Sequence, residues 1–272
     1  MLKFTDFFDI TNCAFAAIFE DTQYVWEAIT KIKKYLKSEL KPNLTKIPKF
    51  CGTLITKTLV LYNNEIIDSD FEIEYGDALK GKLKVIYKSE ILPNASVICA
   101  GAYIISADIY LGTGSIIEPG AYIKGPAYIG DNTEIRQGAY IRGDALIGDK
   151  CVVGHTTEIK NSAMLGDSKA GHFAYIGDSI LGAVNLGAGT KLANLKMNDS
   201  LVKIKIGEQI FDTGLRKFGA ILADGVETGC NSVTSPGTII GKNSMLYPNT
   251  TARGFIPENS IIKNPNNIVK KI

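Results

Sequence analysis

From Leu111 to Leu165 an aliphatic side chain recurs at every sixth position, through Ile117, Ile123, Ile129, Ile135, Ile141, Ile147, Val153 and Ile159. An α-helix repeats about every 3.6 residues and a lone strand about every 2, so neither accounts for a period of six. A chain that makes one short strand and one turn in six residues does. The fifth place of each hexad is small: Ser115, Ala121, Ala127, Thr133, Ala139, Ala145, Cys151, Thr157 and Ala163. This is the hexapeptide β-helix repeat, in which three hexads close one triangular coil and inward aliphatics stack from coil to coil. Counting Leu165 as the last regular inward residue, three later steps shorten to five: Leu165 to Ala170, Ile176 to Leu181, and Leu181 to Leu186. An irregular stretch inside a regular array is where a site is expected.

The rest of the chain divides around this array. Residues 1–92 are read as a small N-terminal helix and strand region, and 93–272 as the β-helix of about eight coils. Between Thr22 and Leu40, Val25, Ala28, Ile29, Ile32, Tyr35 and Leu36 follow a helical spacing. Asp21 or Thr22 is the expected cap, and the helix is expected to pack against one end of the coil. Strands are expected over 54–61, 66–73 and 83–86, with Asn63–Asn64 as a turn. Residues 195–217 break the rhythm; Val202, Ile204 and Ile206 alternating with Lys203 and Lys205 read as a projecting hairpin.

A net charge of +2 argues against nucleic acid or an anionic membrane as partner. No apolar run reaches the length of a membrane span, and the start of the chain has no signal-peptide core. The 5 cysteines are widely spaced without a CxxC pair, which points to reduced thiols and a cytoplasmic protein.

The chain has 2 histidines. His155 falls at an outward corner of a regular hexad and reads as a solvated turn residue. His172 lies in KAGHFAYIGD, within the irregular zone, where an imidazole can serve as general base. The usual three-histidine zinc site of γ-type carbonic anhydrases, which share this kind of coil, cannot be assembled from two.

The string KAGHFAYIGDS, followed by VNLGAGT and Asn194, resembles the acetyltransferase domain of the bifunctional N-acetylglucosamine-1-phosphate uridylyltransferase/glucosamine-1-phosphate N-acetyltransferase family. It is closer still to the β-helix domains of related sugar-1-phosphate nucleotidyltransferases. The likeness covers roughly Pro93 to Lys263. It implies an all-β chain with a left-handed parallel β-helix and a small N-terminal α+β region, assembled as a homotrimer with outward residues such as Tyr122, Tyr128 and Tyr140 covered by neighbours. It also implies transfer of acetyl from acetyl-CoA to an amino-sugar 1-phosphate, with no metal required.

Residue by residue, the resemblance makes His172 the base that takes the amine proton. Arg142, Lys160 and Tyr175 match phosphate contacts, while Asn185, Asn194 and Lys203 match groups that orient the sugar. Ala188 matches a backbone N–H facing the acetyl-CoA carbonyl, and Arg216 and Lys217 are candidates for the coenzyme A phosphates. These residue types suit that chemistry, since guanidinium and ammonium groups hold phosphate, a neutral amine needs a base, and a developing oxyanion needs a fixed N–H donor. There are departures. Arg142 is followed by Gly143-Asp144 where the family has Pro-Gly, Asn194 is followed by Leu195-Lys196-Met197 in place of Tyr-Asp-Gly, and Ser200 stands where closer relatives have a lysine. Fewer than 100 residues precede the coil, so no uridylyltransferase domain and no pyrophosphorylase activity are expected. The segment AAIFEDTQYVWEAITKIKKYL looks like the start of bacterial single-β-helix proteins described as uridylyltransferase-related. The competing expectations are a non-catalytic β-helix scaffold or regulatory subunit, and an acyltransferase with another acceptor or donor.

Overall fold

The computed structural model describes residues 2–44 and 52–271; Cys51 lies outside the described residues. The chain winds into a left-handed parallel β-helix of about nine turns. Its three walls are sheets of nine, twelve and eight strands. We call them the tyrosine face, the broad face and the covered face, after what lies outside each.

Stacking of inward side chains builds the coil. On the covered face one inward column runs Leu111, Ile129, Ile147, Met164 and Leu181, each in register with the next across parallel pairs. None of these is more than 1% exposed. Full burial of such a side chain contributes about 1.5–3 kcal/mol, and the contribution recurs with every coil. The small places let neighbouring coils hydrogen-bond: Ser115 Oγ donates to the Gly130 carbonyl at 2.7 Å and Thr133 Oγ1 to the Gly148 carbonyl at 2.8 Å.

The register corrects one expectation. Met164, not Leu165, pairs with Ile147 and Leu181 and fills the inward place. The step from Ile159 is therefore already five, and the step from Met164 to Ala170 is six. Ser162 then holds the small inward place beside Ala145, and Ala163 points outward. Met164 and Leu165 are adjacent and both apolar, so spacing alone could not separate them.

The N-terminal segment does not sit on an end of the coil. Its helix, Ala28–Glu39, packs alongside the strand Ser162–Met164 on the covered face. Outward residues of that face, Leu146, Ala163, Ile180, Ile221 and Ile239, are fully buried. Tyr128 stacks on Tyr110 at 4.8 Å and meets the edge of Phe15 at 5.7 Å, so it is covered within the chain and needs no second copy. The helix starts later than expected, after a 3-10 turn Val25–Glu27 whose Glu27 carboxylate accepts from the Gln23 amide at 2.7 Å. Thr22 does not cap it; its hydroxyl donates back to the Phe19 carbonyl.

The ends of the coil are closed by antiparallel strands. Leu59–Tyr62 lies on Ser96–Ile98, Thr53–Leu54 on Tyr103–Ile104, and Ser260–Asn264 is covered by Asn267–Lys270. Capping a sheet edge in this way removes a template for aggregation. Asn63 and Asn64 both take left-handed conformations in the turn between Leu59–Tyr62 and Glu65–Ile67, the geometry a two-residue hairpin turn requires. A second small sheet, Phe71–Glu74, Lys84–Tyr87 and Glu90–Leu92, covers the early part of the broad face, where Val97 and Ile116 are buried. A hairpin, Lys203–Ile206 with Gln209–Asp212, buries Val202 and Ile204 and sets Phe211 against Tyr24 and Trp26. No helix among the described residues is long and apolar enough to cross a membrane.

Two outcomes follow from this packing. Met164→Ala should cost about 2–5 kcal/mol in a urea melt and more than Leu165→Ala; the reverse ranking would return Leu165 to the inward column. Burial also pushes the thiols of Cys13 and Cys99 up to about 11 and that of Cys151 up to about 12. Because alkylation needs the thiolate, site-resolved labelling at pH 8 should modify exposed Cys230 well before these three. Early labelling of Cys151 would contradict the packing described.

Candidate active site

The corner where the broad face turns into the tyrosine face carries the imidazole singled out in the sequence. His172 ends the strand Lys169–His172 and is exposed. Glycine precedes His155 because the backbones nearly touch: a Cβ on Gly154 would lie 1.8 Å from the Gly171 carbonyl oxygen. One coil later the corner is Gly187-Ala188-Gly189, where the Gly189 amide donates to the His172 carbonyl at 3.1 Å. The Ala188 carbonyl accepts from Asn231, while its N–H has no acceptor among the described residues. Imidazole and free amide thus stand on neighbouring coils, about 4.8 Å apart along the stack.

The same corner holds a residue that its sequence context alone did not single out. His155 is the register partner of His172 on the preceding coil. It too is exposed, and its Nδ1 lies 3.0 Å from the Gln137 carbonyl. The signal was present in the spacing, since the two histidines hold equivalent corner places one coil apart.

The cations gather at the opposite edge of the tyrosine face. Arg142 and Lys160 occupy equivalent places on successive coils, just past the paired residues Ile141 and Ile159. Each already has a carboxylate: Arg142 Nη1 meets Glu158 Oε1 at 2.5 Å, and Lys160 Nζ meets Asp178 Oδ2 at 3.3 Å. Asp178 is buried and is the hub of this edge. It accepts from Asn161 Nδ2 at 2.7 Å and from the Asn194 side-chain amide as well as facing Lys160. Tyr175 lies between the two edges, bonded to Asn194. Burial raises its phenol above the usual value; Glu158 and Asp178 add to that, and Arg142 and the Asn194 bond partly offset it. The hydroxyl is therefore a neutral donor well past neutral pH.

The structure brings Arg142, Lys160, Tyr175 and Asn194 together, and His172 with Ala188. The two groups share one face but are separated by the strand Tyr175–Gly177. From His172 to Gly177, the register partner of Lys160, the chain advances five residues, about 16 Å if fully extended. Asn185 is not part of either group; it points out of the broad face, level with Lys169 and Glu227. Lys203 is on the exposed hairpin with Asp212 at 3.6 Å, Arg216 pairs with Asp199 at 2.8 Å, and Lys217 is exposed beside Leu195. The carboxylate partners of Arg142 and Lys160 were missed in the sequence. Glu158 is two residues from Lys160 but pairs with the coil before, and Asp178 pairs with a residue 18 positions away.

This geometry sets a stability test. Removing Asp178 strips a half-buried ammonium of its counter-charge, so Asp178→Ala should cost about 3 kcal/mol by urea denaturation. Asp199→Ala, which breaks an exposed pair, should leave stability unchanged. Equal effects would show that Asp178 is not the anchor of this edge.

Comparison with known proteins places this coil. Residues 123–242 match the GMPPB C-terminal domain family. A bifunctional sugar-1-phosphate nucleotidylyltransferase/acetyltransferase of Sulfurisphaera tokodaii is 40% identical over 82 residues, covering 30% of this chain and 20% of that protein. The bifunctional protein GlmU of Methanococcus maripaludis is 38% identical over 104 residues, covering 38% of this chain and 25% of the relative. The match thus spans a quarter or less of these relatives. Among solved structures, a UDP-N-acetylglucosamine acyltransferase from Campylobacter jejuni aligns over 61% of this chain and 71% of its own, at 22% identity and a TM-score of 0.25. Over 123–242 the chain is thus similar to the GMPPB C-terminal domain family, and over part of its length to proteins named as sugar-1-phosphate nucleotidylyltransferase/acetyltransferase and GlmU.

Proposed function

We propose that the chain transfers an acetyl group from acetyl-CoA to the amine of an amino-sugar 1-phosphate, and that His172 is the base. The observation that carries this reading is the corner itself: an exposed imidazole one coil from a backbone N–H without an acceptor among the described residues. Relatedness to proteins named as sugar-1-phosphate nucleotidylyltransferase/acetyltransferase supports the class of acceptor.

In this reading the amine nitrogen attacks the thioester carbonyl carbon as His172 takes an amine proton. The carbonyl electron pair moves to oxygen, where the Ala188 N–H donates to it. The C–S bond then breaks, and the thiolate leaves with the proton carried by His172. Arg142, Lys160 and Tyr175 hold the phosphate and Asn194 orients the sugar; because a strand separates this edge from His172 within one copy, the cradle and the base that meet on one acceptor come from neighbouring copies. Lys217, with Arg216 before it, adjoins Phe218, whose amide donates to the Asn194 carbonyl, and stands beside the set in the same copy. Asn185 lies on the broad face and Lys203 on the hairpin, so these serve the set from a second copy. The tyrosine face suits such a contact: Tyr103, Tyr122 and Tyr140 form an exposed aromatic column, whereas the covered face is already closed. A homotrimer places faces around one axis in this way.

One observation favours the second reading, a non-catalytic scaffold. With Glu158 and Asp178 in place, Arg142 and Lys160 present no net charge to a phosphate. The acceptor must then displace or share these partners. A single assay separates the two readings: thiol release from acetyl-CoA with a panel of amino-sugar 1-phosphates. Wild type should turn over at least one acceptor, and His172→Ala should lower kcat by at least about 10²-fold, the scale of lost general-base catalysis. Silence of the wild type with every acceptor would leave the scaffold.

A further inference from the structure

We infer that His155 and His172 form a two-imidazole clamp for a divalent transition metal of the zinc type, at the corner between the broad and tyrosine faces. The inference does not depend on acetyl transfer. It starts from the register, in which the chain's 2 histidines are partners on adjacent parallel strands and both are exposed.

The ring of His155 is held in a known sense. Its Nδ1 faces the Gln137 carbonyl at 3.0 Å. A carbonyl cannot donate, so in the neutral ring Nδ1 carries the proton and Nε2 keeps its lone pair. A ligating histidine usually fixes its tautomer in this way, by giving its other N–H to a carbonyl. Gln137 is itself fixed, because its amide donates to Glu118 Oε2 at 2.8 Å. Gln137 belongs to the coil before His155, and Nε2 is on the far side of the ring from Nδ1. Nδ1 is therefore held on the side of the coil away from His172, and Nε2 has no hydrogen-bond partner among the described residues.

The backbone makes the pair close and rigid. The Phe173 amide donates to the His155 carbonyl at 2.7 Å, and Gly154 lets the Gly171 backbone come close just before the two rings. Successive coils are about 4.8 Å apart. Two nitrogens on one tetrahedral zinc, each at about 2.0–2.1 Å, lie about 3.4 Å from one another, which rings one coil apart reach by tilting together. Two protein ligands leave the remaining positions to water. Cys230 shares this corner but stands two coils beyond His172, out of reach of the same ion. Metal bound here would occupy the lone pair of His172 and close the corner to any proton transfer.

With only 2 histidines in the chain, ring C–H signals in NMR report each directly. Titration of the full chain with Zn²⁺ should move both signals together, with one ion per chain by calorimetry. His155→Ala and His172→Ala should each weaken binding at least tenfold, the smallest cost usually seen for disturbing even the outer shell of a site (about 10–100-fold). Cys230→Ser should leave it unchanged. The clamp is overturned if no ion binds, if one signal moves alone, if His155→Ala keeps the wild-type affinity, or if loss of Cys230 abolishes binding. Unchanged melting temperatures of the three variants separate loss of a ligand from loss of fold.

Discussion

The inward stack sets the place of everything else in this protein. Once Leu111, Ile129, Ile147, Met164 and Leu181 are aligned coil on coil, each outward residue has no freedom along the axis. It stands directly above one partner and below another. Side chains far apart in sequence become neighbours at a fixed spacing, and chemistry is written in columns. His155, His172 and Ala188 form one column, Arg142 and Lys160 another, and Tyr103, Tyr122 and Tyr140 a third. A repeat of this kind can exchange a side chain in one coil without disturbing the next, because stability is shared among many similar interfaces.

What covers the coil decides which columns can work. The N-terminal helix and its aromatic residues close one face, and the small three-stranded sheet closes the early part of a second. The corner with the histidines and the tyrosine face beside it are left open. The hairpin is tied to the N-terminal segment through Phe211, Trp26 and Tyr24. Its base meets the end of the strand that leads to Asn194, since the Phe218 amide donates to the Asn194 carbonyl at 2.9 Å. The N-terminal segment thus has a physical route to the charged edge, and Lys33 and Lys37 of its helix line the same cavity as Arg142.

The sequence carried the architecture well, because a six-residue aliphatic period admits few other solutions. It carried the site unevenly. His172 and Ala188 could be read from the KAGH and GAGT strings, and the register does put them on one corner. The Met164–Leu165 choice could not be made, because both residues are apolar and a five-residue step was possible on either side of them. His155 reads as solvated from its own hexad, although its place one coil from His172 could have been counted. The pairing of Arg142 with Glu158 and of Lys160 with Asp178 was hidden for a different reason. A charge in a motif looks available until the partner that neutralises it, 16 or 18 residues on, is seen in space. The expectation that all outward tyrosines await a second copy failed for Tyr128, since a helix at the start of the chain reaches the face where it lies.

We place the incoming thioester at the corner of His172 and the Ala188 amide. A crystal structure of the chain soaked with coenzyme A tests this placement without needing the acceptor to be known. The pantetheine sulfur is expected at that corner, within reach of both the imidazole and the free amide. Coenzyme A bound elsewhere, with the corner left to solvent, would contradict it.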